Sequence, residues 1–245
     1  MKYQSALMTH VDGSMHHLGI KKEHIASKVI LTPDPMLVSF YSKFLDNCKL
    51  MGDYREYVTY TGTYNGQPLS IMSCGFGCMP MAIAIEELNH LDVKEVIKIS
   101  ENPAIQPDIK VGSICAASGA VRSEGASREY IDISYPAVSD MELLAKILDN
   151  KNVRVGIFRS HDVENLDSPY APDADIRIKK WTDLGVDIFD GETSSMFITA
   201  ACLRMKSASL ALVKENYITN EILDEKGIDA KREQMFKLAA DILCK

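Results

Sequence analysis

The stretch of this chain best suited to chemistry lies between residues 93 and 127. An apolar run, 96–99, reads as a strand and passes into a polar segment, Ser100-Glu101-Asn102-Pro103-Ala104-Ile105. Open α/β sheets build ligand sites just past the carboxyl ends of their strands, so this segment is the first candidate for one. Lys98 stands on the strand and Glu101 beyond it. An ammonium holds an anion as a point charge. A carboxylate repels one, by roughly 4 kcal/mol for two unit charges ~4 Å apart at an effective dielectric near 20, or roughly a thousandfold in affinity. The spacing leaves open whether Lys98 and Glu101 pair with each other.

Three further groups invite chemistry, each beside a plainer role. Glu192 opens a helical segment, where a carboxylate also complements the helix dipole. Glu215 ends a strand next to Lys214, and the two would make an ordinary surface ion pair. His161 sits in a polar stretch where a histidine can simply be solvated. Cys74 and Cys78 lack the spacing and partners of a zinc site, so no metal is expected. The six cysteines (Cys48, Cys74, Cys78, Cys115, Cys202, Cys244) read as small buried thiols in a reducing compartment.

The elements that position these groups follow from periodicity and turn chemistry. Residues 1–15 are polar and patternless and read as a flexible amino-terminal arm; 16–245 read as one domain. A short helical segment at 21–27 precedes a β-branched strand at 28–31. Pro33 and Pro35 leave an extended turn at 32–35, and 36–47 has helical spacing. Residues 54–64 and 69–73 flank Asn65-Gly66 and read as a β-hairpin. An amphipathic helix at 81–90 leads into the central strand, and a β-rich segment follows at 111–117. Helices at 140–148, 176–184 (with Trp181 on the buried side), 193–205 and 229–243 alternate with strands at 153–158, 186–189 and 208–213. A polar loop covers 161–172. Alternating strands and helices imply a parallel or mixed sheet with helices on both faces.

Composition bounds the function. A chain of 245 residues, 46% of them hydrophobic, suits one α/β domain with a sizeable core. A net charge of -7 with no basic stripe argues against a nucleic-acid partner. No apolar run approaches the ~20 residues that span a bilayer, so no membrane partner is expected. No charged-then-apolar leader is present, and a cytoplasmic protein is expected.

Taken in order, the chain's short motifs resemble those of the nucleoside phosphorylase family, the uridine and purine nucleoside phosphorylases. They are His17-Leu18-Gly19, Pro33-Asp34-Pro35, Arg55-Glu56-Tyr57, Gly75-Phe76-Gly77 with Glu86-Glu87-Leu88, Ala104-Ile105-Gln106-Pro107, the run Arg122 to Ser127, Pro136-Ala137-Val138 with Asp140, and Asp190-Gly191-Glu192-Thr193. The resemblance implies a single α/β domain whose distorted mixed sheet forms a partial barrel flanked by helices. It implies a small-molecule nucleoside as partner, inorganic phosphate as co-substrate and no other cofactor. It also implies homodimers, or hexamers built as trimers of dimers, with sites shared across the interface.

The same resemblance distributes roles. Glu192 stands where the family grips the ribose hydroxyls, and Gly191 replaces the methionine beneath the sugar. His17 matches the histidine lent across the interface to the 5′-hydroxyl, and Arg55 the arginine lent to phosphate. The rest of the phosphate cradle departs from the family. Pro33 replaces a glycine and has no amide hydrogen to donate. Leu37 and Lys98 replace arginines, and Glu101 replaces a hydroxyl donor. On the base side stand His161, Asp162 and Phe189, without the uridine branch's Gln-x-Arg. Glu215 occupies the place of the acid that protonates a leaving purine. The expected function is phosphorolysis of a uridine or purine nucleoside to free base and ribose 1-phosphate. The alternatives are a phosphate-independent nucleosidase in which Glu101 activates water, and a catalytically silent member that binds nucleosides.

Overall fold

The computed structural model describes residues 9–163 and 173–244. The sheet begins with β1 (Lys28–Thr32), whose β-branched residues are buried on both faces as a parallel strand requires. The chain then enters α1 (Pro35–Ser42), capped by the Asp34 carboxylate, which accepts from the Met36 amide at 2.8 Å. Pro35 therefore starts the helix instead of forbidding it, since the first helical position needs no amide hydrogen. The helix expected over 36–47 ends five residues early. Asp46 and Asn47 belong instead to β2 (Asp46–Tyr54), an edge strand. Its hairpin partners are β3 (Tyr57–Tyr64) and β4 (Gln67–Ser73). Asn65 and Gly66 both have positive φ (50° and 75°), the backbone of the two-residue turn that joins β3 to β4.

Next come α2 (Cys78–His90), β5 (Glu95–Ala104), β6 (Ile114–Ser123), the short β7 (Ala137–Val138) and α3 (Met141–Leu148). The carboxyl-terminal part holds β8 (Val153–His161), α4 (Ala174–Asp183), β9 (Val186–Asp190), α5 (Thr193–Cys202), β10 (Lys206–Asn216), β11 (Glu221–Ile222) and α6 (Glu225–Cys244). The polar segment 100–105, expected as a loop, continues β5 through Ala104. Its polar residues pair in register along β10, so hydrogen bonding to a long neighbour overrides the polar sequence.

Within the sheet, β10, β6, β8, β9 and β5 are neighbours in that order, and β10 pairs with β5 as well. Those five strands therefore close into a small barrel, with β1, β4, β3 and β2 continuing outward from β5. On one face α2 and α5, the latter through Phe197, pack over Val96, Ala104 and Phe158. On the other, α1, α3 and α6, the last through Phe236, cover Ile97, Ile99 and Leu210. Trp181 of α4 is half-buried against Ile105, Val186 and Phe189. Residues 9–15, assigned to the arm by the sequence, make a tight turn that buries Met15 and Ser14. Residues 1–8 and 164–172, with most of the expected 161–172 loop, lie outside the described residues. Of the cysteines, only Cys74, Cys78 and Cys115 are buried; Cys48 and Cys244 are half-buried and Cys202 is exposed. No described helix is long and apolar enough to cross a membrane.

One close approach fixes the barrel wall. On β8, a side chain at Gly156 would place its first carbon 1.6 Å from Asp187 Oδ2, and Asp187 is itself held by Arg154 at 2.9 Å. Gly156→Ala must break that pair or push the strands apart. We expect a loss of about 1–3 kcal/mol, read as a lower urea midpoint with an unchanged slope.

Candidate active site

A cleft of about 590 Å³ opens where several strands end. Thr32 and Pro33 close β1, and Asp34 and Leu37 start α1. Ser100, Glu101, Asn102 and Pro103 end β5; His161 ends β8; Phe189, Asp190 and Glu192 end β9; Lys214, Glu215 and Tyr217 end β10; Phe76 completes the wall. This is the carboxyl edge of parallel strands, where such sheets bind ligands.

Beneath the floor lies a buried charge cluster. Lys98 is fully buried, and its Nζ donates to Asp190 Oδ2 at 2.7 Å and to Glu192 Oε2 at 2.8 Å. The other Glu192 oxygen accepts from the Gly77 amide at 2.9 Å. Asp190 also accepts from the Ser160 hydroxyl at 2.6 Å and the Thr193 amide at 3.1 Å. Burial alone would raise the Asp190 carboxyl. Lys98 and the two hydroxyl donors, Ser160 and Thr193, outweigh it and hold the group below the usual carboxylate range. Burial likewise works against the Lys98 charge, and the two carboxylates more than offset it, so the ammonium is raised. Both Glu192 oxygens are thus held by donors, and the carboxylate is oriented, 2% exposed and lining the cleft.

This corrects the placement of Lys98. It is not an open phosphate contact, because both of its near partners are protein carboxylates. It does not pair with Glu101 either. Side chains three apart on one strand point to opposite faces. Lys98 faces α5, whereas Glu101 faces α6 and meets Arg232 Nε in a close ion pair, with Lys214 Nζ at 3.6 Å.

The remaining expected residues divide. Pro33, Leu37, Glu101, Glu192, Glu215, His161 and Phe189 share the cleft. Burial, with Arg159 adding to it, lowers the His161 imidazole, which stands edge-on to the Phe189 ring at 5.3 Å. It is therefore neutral near pH 7. Asp162 is exposed, outside the lining, and accepts from the Gly125 amide at 3.0 Å. Gly191 is buried behind the cleft, where its carbonyl accepts from the Cys78 thiol at 2.9 Å. His17 and Arg55 do not line this chain's own cleft. His17 Nδ1 meets Glu87 Oε1 at 2.6 Å, and Arg55, in a turn with φ 55°, lies over the Tyr54 ring.

The sequence reading missed Asp190 as a site residue, along with Thr32, Phe76, Asn102, Tyr217 and Arg232. For Thr32 and Tyr217 the signal was present, since each stands at or just past a strand end. The Thr32 hydroxyl is buried in the cleft wall without a hydrogen-bond partner among the described residues. For Arg232 there was none, because its partner Glu101 is 131 residues away.

The sequence profile of the Phosphorylase superfamily matches residues 28–245. The chain belongs to that superfamily. Among relatives of this phosphorylase-superfamily chain, a uridine phosphorylase of Thermococcus kodakarensis is 32% identical over 222 residues, 86% of this chain and 80% of that one. A guanosine phosphorylase of Halorubrum lacusprofundi is 27% identical over 222 residues, 89% of this chain and 88% of that one. The crystal structure of a uridine phosphorylase from Vibrio fischeri superposes with a TM-score of 0.84 at 28% identity, covering 99% of both chains. The superfamily fold expected from the motifs is therefore the fold observed.

Proposed function

We propose that this chain is a nucleoside phosphorylase, a pentosyltransferase that cleaves the N-glycosidic bond of a uridine or purine nucleoside with inorganic phosphate. The observation that carries the reading is Glu192. A carboxylate fixed by Lys98 and the Gly77 amide lines a nucleoside-sized cleft at the strand ends. Its remaining lone pairs accept the ribose hydroxyls and stabilise positive charge on the sugar as the C1′–N bond breaks. The bond's electron pair leaves with the base, and a phosphate oxygen forms the new bond to C1′. Phe189 and neutral His161 form the base-side wall, and Glu215 stands in that cleft as a candidate proton donor.

His17 and Arg55 lie away from their own cleft, which supports an assembly in which each serves a neighbouring copy. A homodimer, or a hexamer of three dimers, is the proposed form. The unpaired cysteines suit a reducing cytoplasm.

The test is base release from uridine, inosine, guanosine and adenosine, with and without phosphate. Release that requires phosphate and yields ribose 1-phosphate is the expected result. Release at equal rates without phosphate would replace phosphorolysis by hydrolysis, and no release from any nucleoside would overturn the enzyme reading.

A further inference from the structure

On the α6 side of the cleft two cations converge on one side chain of the protein itself. The Glu101 carboxylate, 12% exposed, gives one oxygen to Arg232 Nε and the other to Lys214 Nζ at 3.6 Å. Arg232 is 19% exposed and is steadied from the far side by Asp229, which accepts from its Nη1 at 2.9 Å. The hydrogen bond to Glu101 is the main influence raising the guanidinium, which keeps it charged at any working pH. Strand register explains the convergence. Glu101 on β5 stands opposite Leu212 on β10, and a register shift between Val213 and Glu215 leaves Lys214 as the extra, unpaired residue of a bulge just beyond that pair. Both Glu101 and Lys214 line the cleft, and Arg232 lies one layer behind.

A planar, two-oxygen anion bridging a guanidinium and an ammonium is the arrangement a protein offers to a phosphate. Here the anion is covalently attached. Its effective concentration is that of a group already in contact, far above that of any free anion. Lys98, the other cation of this region, is spent on Asp190 and Glu192.

We propose that Glu101 is a tethered anion that competes with inorganic phosphate for Arg232 and Lys214, making residue 101 the determinant of how tightly this site holds its oxyanion co-substrate. The proposal rests on the phosphorolytic reading for its biological meaning but not for its test. Removing the charge while keeping the shape, in Glu101→Gln, leaves Lys214 in the cleft wall and Arg232 behind it without the carboxylate that joins them, Asp229 alone remaining on Arg232.

The experiment is calorimetric titration of the full chain with inorganic phosphate at constant ionic strength, without nucleoside. Glu101→Gln is expected to bind phosphate at least about tenfold more tightly than the unsubstituted chain, as loss of ~1.4 kcal/mol or more of competition requires. The double variant Glu101→Gln/Arg232→Gln is expected to lose that gain. Glu101→Ser, which empties the space as well, serves if the glutamine variant does not fold. Equal or weaker phosphate binding in both single variants would overturn the proposal, as would a gain that survives without Arg232. A chain that cleaves no nucleoside under any condition would overturn the functional reading alone, because the titration needs no turnover.

Discussion

Lys98→Met is expected to lower the melting temperature by about 10 °C and to abolish nucleoside cleavage. The ammonium is fully buried and bridges two carboxylates from the β9–α5 junction. Removing one member of such a cluster leaves uncompensated charge in a dry site, at a cost of about 3–5 kcal/mol. For a chain of this size, each kcal/mol moves the midpoint by about 2–4 °C. Calorimetry checks the stability, and base release checks the activity. The pH dependence has a definite sign. Asp190 is depressed in the folded protein, so its contribution is complete above the unfolded carboxylate value, ~3.9, and is lost as pH falls below it. Lys98 is raised, so its contribution is complete below the unfolded lysine value, ~10.4, and is lost only as pH climbs beyond it. Lys98→Met should therefore flatten the acid limb of the stability profile. If the variant's stability still falls as steeply below pH ~4 as the parent's, the cluster is not what holds the site.

Glu192→Gln should cost about a hundredfold or more in kcat/KM and less in stability. An amide keeps the shape, but only one of its two ends can accept, from Lys98 or from the Gly77 amide, and it withdraws the charge that opposes the developing cation on the sugar. Hydrogen bonds to charged groups contribute about 1.5–3 kcal/mol, and two hydroxyls share this one carboxylate in the proposed complex. The loss should appear mainly in kcat, since charge on the sugar grows only toward the transition state. A loss confined to KM would make Glu192 a binding group only.

Much of the fold was legible because local signals agreed with the tertiary answer. The β1 strand, the Asn65-Gly66 turn and the helix at 140–148, which the Asp140 carboxylate caps by accepting from the Glu142 and Leu143 amides, each follow from residues within a few positions. Strand β2 was not legible, because an edge strand with mostly exposed residues shows little apolar alternation. Segment 100–105 looked like a loop for a related reason, its pairing being supplied by β10 over a hundred residues later.

The site divides the same way. Glu192, His161, Phe189 and Glu215 could be nominated from motif order, and the cleft does gather them. The partners that decide their chemistry could not. Lys98 finds its carboxylates 92 and 94 residues downstream, and nothing local distinguishes a lysine facing a ligand from one facing its own protein.

The closure of the barrel carries one more consequence. Most neighbouring strands in the ring share several registered residues, but β9 meets β5 at the single pair Ala104 and Ile188, helped by the Ile105 amide donating to the Asp187 carbonyl at 2.9 Å. Local openings favour segments with few hydrogen bonds to break. The cylinder thus has a seam, and the seam runs two residues from Asp190. Breathing of the wall would therefore be felt first by the Asp190 and Glu192 carboxylates, which gives the Lys98 clasp a second job as the latch across the join.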